Sequence, residues 1–304
     1  MLNRIFGGPK KQEPVKNPST HPGDFIKFYD NTGREMLIEK EEYRTKVLPT
    51  NLQKVWDKPE ELYNWVVGAL KDGFHKDVLA ASEQLFKTYN NQERRHVIRA
   101  VVLKLNGFLD EAETILRTHI EKNGETSTAA LNLAQVQAQK NNMEQAEKTL
   151  WRSIELDPNN LQAIIWWVAI QRERDQEKGE HEALGRIGQL PGSYRAHLWI
   201  GRIALEKKNL DIAKRCFSYV LSHGGQDHSD VLMTISGDLG NSGFINEIIE
   251  IIAPIYEPKK HGPQTGCNLL QAYLETKRHD DVGRQENDIK SRQGVVRGLR
   301  FFFR

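Results

Sequence analysis

Apolar and small residues recur along the middle of the chain at a fixed distance. The segment that begins at Gly107 superimposes on the segment that begins at Asn141 at an offset of 34 residues. Three apolar or small residues of the first segment then meet three of the second: Ala112, Leu116 and Ile120 meet Ala146, Leu150 and Ile154. Self-similarity at a period of about 20–50 residues is typical of stacked repeats. The sequence therefore predicts one supersecondary unit in each period.

Residues 127–160 form the clearest copy, and their pattern predicts two helices joined by a tight turn. Ala134 lies on the inner face of the first helix, where a small side chain admits a close neighbour. Asn141 and Asn142 then favour a turn. A second apolar stripe follows at intervals of four residues: Ala146, Leu150 and Ile154. Pro158 ends the pair, because proline cannot continue a helix.

Copies of lower fidelity continue this frame on both sides, so we predict about six to seven units. The other two clear copies are residues 93–126 and 194–227. The weaker ones are a divergent first unit, a degenerate unit, a unit that keeps its apolar stripe and the start of a last unit: 59–92, 161–193, 228–260 and the segment from Leu269.

This spacing resembles the tetratricopeptide-repeat (TPR) superfamily over residues 59–283. The resemblance implies a mainly all-α fold, a right-handed α-solenoid of helix-turn-helix repeats that holds another polypeptide in a concave groove. With its N-terminal segment, the chain is similar to bacterial TPR proteins of undefined role. The alternative is another antiparallel helical array without a common period.

The N-terminal segment does not follow the repeat. Two β-favouring runs lie on either side of Asp30–Gly33, whose residues suit a hairpin turn. Helical spacing follows from Glu39 to Leu48, and Pro49 is expected to stop that helix. We predict a flexible basic segment at 1–23 and a small cap of hairpin plus helix at 24–58, docked on the first repeat.

The C-terminal end departs from the helical pattern after Val282. Residues 284–304 are rich in arginine and end in Phe301–Phe303. Three interpretations stay open: a basic tail that contacts nucleic acid or membrane, a frayed terminus, or a change of reading frame near Val282.

Charge and cysteine content indicate which cellular compartment is expected for the protein. The net charge of the chain is +2, but residues 1–23 carry +3 and residues 284–304 carry +4, so the body between them is mildly acidic. The two cysteines, Cys216 and Cys267, form no CxxC motif and no disulfide framework. No secretory signal or membrane-spanning stretch is expected. We expect a cytoplasmic protein without a membrane partner.

A search for chemistry finds no phosphate-binding, metalloprotease, nucleophile-elbow or EF-hand motif. His223, Asp227 and His228 form the best metal-like cluster, yet they fall between two units, where a polar turn is the simpler interpretation. Cys216 is interpreted as a buried thiol. We therefore predict no catalytic site, no metal site and no cofactor.

The first-helix positions that line the groove in this family provide the candidate site. They hold amides, arginines and two tryptophans: Asn132, Gln135, Gln139, Trp166, Arg172, Arg195, Trp199 and Arg202. Tryptophan and arginine dominate binding hot spots. Trp167 is expected to pack between helices, and for Trp166 and Trp199 packing and binding are equally good interpretations. The family's carboxylate clamp is in doubt, because Val97 and Val101 replace the polar residues that it needs.

The sequence thus predicts a non-catalytic adaptor or scaffold for a peptide or protein partner. The alternative is a nucleic-acid-associated factor that uses the basic ends, and an enzyme comes third. The sequence leaves the partner's identity and the oligomeric state open.

Overall fold

The structure is a computed structural model that describes residues 25–29, 34–223 and 228–277. The chain divides after Ile115 into two compact units, named here the N-terminal unit and the C-terminal unit. The predicted hairpin turn at 30–33 and both basic ends lie outside the described residues. The predicted limits at 1–23, 24–58, 59–283 and 284–304 stay predictions.

The N-terminal unit begins with the expected hairpin. Strand β1 (Phe25–Tyr29) pairs antiparallel with β2 (Glu35–Glu39), with Phe25 opposite Glu39 and Ile26 opposite Ile38. The side chain of Ile26 packs against the apolar core of this unit. Because an isolated hairpin is marginally stable in water, this contact contributes to the stability of the sheet.

The helix after the hairpin does not stop at Pro49, so that expectation is wrong. It continues as α1 (Lys40–Glu42), a π-helical turn (Tyr43–Val47) and α2 (Leu48–Lys54), with Pro49 in the first turn of α2. In the π turn the Leu48 amide donates to the Tyr43 carbonyl, five residues back. A wider turn before the proline relieves the clash between its ring and the preceding carbonyls, so the helix continues.

Three further helices complete the described N-terminal unit: α3 (Pro59–Lys71), α4 (Leu79–Thr88) and α5 (Gln92–Leu105). One apolar cluster joins them to the N-terminal helix through Leu48, Leu62, Val66 and Leu85, all of them fully buried. The ring of Tyr43 stacks on Phe74 at 5.5 Å. Helix α6 (Leu109–Asn123) follows and contains the division between the units.

The C-terminal unit is a succession of helix pairs. Its helices are α7 (Ser127–Gln139), α8 (Met143–Leu156), α9 (Leu161–Gly188), α10 (Arg195–Glu206), α11 (Leu210–Ser222), α12 (Ser229–Asn241), α13 (Ile245–Ile252) and α14 (Pro258–Glu275). Two apolar clusters fill it, one from α7 to α10 and one from α10 to α14. Ala134, Ala146, Leu150 and Ile154 are buried in the predicted register.

Helix α9 contains two helical segments in one continuous run. Asp175 (φ −140°) and Gln176 (φ 49°, ψ −135°) leave helical geometry, so the chain bends where a helix-helix turn is expected. Ala183 and Leu184 beyond the bend still reach the same core as Leu150. The degenerate repeat at 161–193 thus keeps its apolar packing, although a bend within α9 takes the place of a turn between two helices. The predicted mainly α fold class with an N-terminal hairpin is confirmed.

Candidate peptide-binding face

The eight predicted groove residues all lie on first helices of the C-terminal unit. They are distributed over three elements, α7, the first segment of α9, and α10. We call the side of the first helices that carries these residues, with its continuation on first helix α12, the first-helix face. Asn132, Trp166, Trp199 and Met233 occupy equivalent places on α7, α9, α10 and α12, at successive intervals of 34, 33 and 34 residues. Equivalent places in stacked repeats form a row across the stack.

Helix α7 contributes amides to this face. The Asn132 Nδ2 donates to the Thr128 carbonyl of its own helix at 2.9 Å. Gln135 is half-buried, and Gln139 is exposed in the last turn of the helix. Amide side chains offer both donors and acceptors, which suits contact with the backbone of another polypeptide.

The two candidate tryptophans both pack in the core and are partly exposed to solvent. Trp166 and Trp199 are both partly buried, and both pack against the apolar cluster of α7 to α10. Trp167 is 8% exposed, in agreement with its predicted packing position, and its ring centroid lies 5.1 Å from that of Trp151. Each candidate indole is therefore held by the core while part of its surface meets solvent.

Each arginine of this face already has a carboxylate partner within the chain. The Arg195 Nη2 lies 2.8 Å from the Asp230 Oδ2, and the Arg202 Nε donates to both oxygens of Asp238 at 2.9 and 3.0 Å. Arg172 lies 3.7 Å from Glu180, across the bend in α9. In this structure each of these arginines therefore pairs with a carboxylate of its own chain.

Sequence reasoning missed Asp230 and Asp238, the acidic partners on α12. A signal was present, because these residues follow Arg195 and Arg202 by 35 and 36 residues, close to one repeat period. The Asp238 side chain is only 15% exposed. Its burial raises the pKa of the carboxyl above the ordinary value, although the neighbouring Arg202 guanidinium acts in the opposite direction. The ion pair thus connects α10 to α12, with the carboxylate of Asp238 largely buried.

The predicted metal-like cluster is not assembled among the described residues. No cluster of three potential metal ligands occurs among them. His228 stacks on Tyr194 at 5.4 Å, the His223 ring contacts the Tyr219 carbonyl, and Asp227 lies outside the described residues. Cys216 and Cys267 are both only partly buried, so the interpretation of Cys216 as a buried thiol is wrong; this partial burial raises the pKa of both thiols.

Open cavities lie elsewhere among the described residues. One of about 320 Å³ in the C-terminal unit is bordered by α6 and α8 and includes Arg117, Lys148 and Arg152. Another of about 700 Å³ in the N-terminal unit is lined by the hairpin, Lys40, Phe74 and Leu105. Burial lowers the pKa of Lys104 to about 8. None of the described helices combines the length and apolar composition needed to span a membrane.

Solved structures with a similar chain fold are found at low sequence identity. The chain is similar to a structure of Naa15/Naa10 bound to HypK-THB (14% identity, TM-score 0.38, covering 78% of this chain and 37% of that one). It is also similar to YrrB, described as a TPR protein with an unusual peptide-binding site (13%, 0.34, 59% and 92%), and to yeast Tom70 (14%, 0.45, 85% and 56%). The chain thus spans less than two thirds of the Naa15/Naa10 and Tom70 chains.

No curated protein matches the chain. The family model of the tetratricopeptide repeat matches residues 127–160, which are helices α7 and α8 with the turn between them. This is the segment in which the apolar spacing is clearest. The resemblance to TPR proteins is therefore confirmed, and the chain carries a tetratricopeptide repeat at residues 127–160.

Proposed function

We propose that this chain is a non-catalytic scaffold that holds a peptide segment or a protein partner on its first-helix face. The TPR fold favours protein–protein interaction, and the proposal adds the place of contact. The observation that carries it is the row formed by Asn132, Trp166, Trp199 and Met233 on successive first helices. A row of amide, aromatic and thioether side chains at regular distances suits an elongated partner.

The physical basis is that the core already fixes the binding side chains. Trp166 and Trp199 lose little side-chain freedom when a partner covers them, because each is packed against buried residues of α7 to α10. Less conformational entropy is then lost on association, which favours affinity. A cytoplasmic location is part of the same proposal. The nucleic-acid alternative depends on the basic ends, which lie outside the described residues.

The test is to identify the partner and then to measure its affinity by calorimetry. Cross-linking in the native host followed by mass spectrometry would name the candidates. Trp199→Ala should weaken binding of the purified partner by about 2 kcal/mol or more, as for an aromatic hot spot. Lys148→Ala is the control, because Lys148 is an exposed residue on a second helix.

Circular dichroism melting separates lost binding from lost folding, since Trp199 also contacts the core. Equal affinities for the wild type, Trp199→Ala and Lys148→Ala would show that the partner binds elsewhere, and the proposal would then be wrong.

A further inference from the structure

The hairpin of the N-terminal unit has an open edge. Strands β1 and β2 form a two-stranded sheet, and no third strand joins it among the residues that the structure describes. In an antiparallel pair, alternate residues of each strand direct their backbone N–H and C=O groups away from the partner strand. Of the described residues, none outside β1 makes a backbone hydrogen bond with residues 35–38. We call the side of β2 that faces away from β1 the β2 edge.

The β2 edge lacks the usual protection against another strand. Proteins protect exposed edges with proline, lysine, a bulge or a covering element. The strand Glu35–Glu39 contains neither proline nor lysine, and its register with β1 is continuous, without a bulge. Met36 and Leu37 in its middle are 40% and 60% exposed. An apolar, uncovered edge of this kind suits the addition of a further strand.

The charges at the ends of β2 disfavour a second copy of this chain as that strand. Side chains alternate between the two faces of a strand, so Glu35, Leu37 and Glu39 share one face. When two copies pair antiparallel through all residues of β2, Glu35 of each copy lies opposite Glu39 of the other. Like charges directly opposite each other destabilise a sheet. The edge therefore fits a different polypeptide better than it fits itself.

Glu39 indicates which charge that polypeptide carries. Glu35 pairs with Lys27 across the hairpin at 2.9 Å, whereas Glu39 forms no ion pair with a described residue. The Glu39 side chain is exposed. Opposite charges in a cross-strand pair stabilise a sheet. A lysine or arginine opposite Glu39 is therefore the charged residue that the β2 edge selects.

We propose that the β2 edge binds an extended segment of a partner polypeptide by strand addition, with apolar residues opposite Met36, Leu37 and Ile38 and a lysine or arginine opposite Glu39. The backbone groups of the edge provide the hydrogen bonds, and the side chains select the sequence. This surface belongs to the N-terminal unit. It is independent of the function proposed for the first-helix face of the C-terminal unit.

The experiment measures binding of labelled peptides to the full chain by fluorescence anisotropy. The first peptide carries Lys-Val-Leu-Val-Lys between glycine-serine ends, so that a lysine meets Glu39 in either strand direction. The second peptide is N-methylated at the leucine and the third at both valines. N-methylation removes a hydrogen-bond donor and keeps the side chain. Because alternate residues of an added strand face β2, one methylated peptide should bind as the first does and the other should show no saturable binding.

A fourth peptide tests the charge. It has glutamate at both lysine positions, and its affinity should be lower than that of the first by about tenfold, because like charges then lie opposite each other. Glu39→Gln should reduce this difference between the lysine and glutamate peptides, since it removes the carboxylate that selects the cation.

Matched leucine variants localise the contact. Leu37→Lys should weaken binding of the first peptide by about tenfold or more, because a lysine in the middle of an edge opposes strand addition. Leu161→Lys is the control and should leave the affinity unchanged, since Leu161 is 47% exposed on α9 in the C-terminal unit. The methylated peptides use the wild-type chain, so their result stands even if Leu37→Lys perturbs the hairpin.

Several outcomes would overturn this inference. They are absence of saturable binding by the first peptide, loss of binding in both methylated peptides or in neither, equal affinity for the lysine and glutamate peptides, and equal weakening by Leu37→Lys and Leu161→Lys. A dimer of the full chain in sedimentation that is lost in Leu37→Lys would assign the edge to a second copy instead. None of these results bears on whether partner affinity depends on Trp199, so the two proposals fail separately.

Discussion

The repeats at 127–160 and 161–193 meet the same packing requirement with different backbones. In the first, Asn141 takes a left-handed conformation (φ 62°) and the chain turns between α7 and α8. In the second, the chain bends within α9, at Asp175 and Gln176. Both repeats supply fully buried residues to one cluster, including Leu150 from the first and Leu184 from the second. The fold therefore requires that the second apolar stripe of each repeat packs in the core. The backbone conformation that connects the two stripes can differ between repeats.

The bend in α9 requires a glycine at one close approach. A Cβ added at Gly179 would lie 2.1 Å from the Gln171 carbonyl oxygen, which belongs to the segment before the bend. That oxygen is backbone and cannot move away alone. We expect Gly179→Ala to lower the free energy of unfolding by about 3 kcal/mol or more, measured by urea denaturation. This is the largest effect predicted for the two repeats.

Gly185→Ala is the matched control in the same helical segment. Nothing lies within 4 Å of a Cβ added there. Alanine is the better helix former, so this variant should be unchanged or more stable by up to about 1 kcal/mol. Equal destabilisation by both substitutions would mean that the close approach of the segments is not what the repeat depends on.

The regular repeat depends instead on a small residue between its helices. Ala146 is 1% exposed on α8, where its side chain faces the tight contact with α7. Ala146→Phe should overpack this contact and cost about 1–3 kcal/mol in the free energy of unfolding.

Ala169→Phe provides the comparison, because Ala169 is exposed on the first segment of α9. Surface substitutions of this kind change stability by about 0.5 kcal/mol or less. An unchanged melting temperature for Ala146→Phe would contradict the register assigned to residues 127–160.

The sequence predicted the packing well, since the positions of Ala134, Ala146 and Leu150 depend only on helical spacing. It did not predict the continuous helix through Pro49, where a π-helical turn compensates for the proline. It did not predict the bend at Gln176 either, because glutamine has no preference for positive φ. Both local changes of backbone geometry depend on contacts that cannot be predicted from the type of a single residue.

For the candidate site, the sequence predicted which helices carry the residues but not which contacts their side chains make. The sequence left open whether Trp166 and Trp199 pack in the core or are exposed for binding. In the structure each indole packs against the core and is also partly exposed. The pairing of Arg202 with Asp238 depends on how α10 and α12 lie side by side, which a motif from one repeat does not contain. The spacing of the repeats therefore does not predict which side chains pair between one repeat and the next.

The turn residues offer a third test of the two repeats. Gln176 has φ 49° and ψ −135°, a combination that essentially only glycine adopts without strain. Gln176→Gly should raise the free energy of unfolding by about 1 kcal/mol, after the entropic penalty of glycine is subtracted. Asn141→Gly should change it by less than about 0.5 kcal/mol, because asparagine tolerates the left-handed region.

Both values can be measured by thermal denaturation of the full chain. A stabilisation of equal size at the two positions would mean that the bend in α9 stores no more strain than the ordinary turn at Asn141.

The smallest effect concerns the contact that joins the two repeats. The Arg186 guanidinium of α9 lies 3.7 Å from the ring centroid of Trp151 on α8 and 5.9 Å from that of Trp167. A cation over an indole at a largely exposed site contributes about 0.5–1 kcal/mol. Arg186→Gln should lower the free energy of unfolding by that amount, whereas Lys178→Gln, which alters only exposed ion pairs, should change it by less. A double-mutant cycle with Trp151→Leu isolates the pair, and a coupling energy near zero would show that Arg186 and Trp151 do not stabilise each other across the repeats.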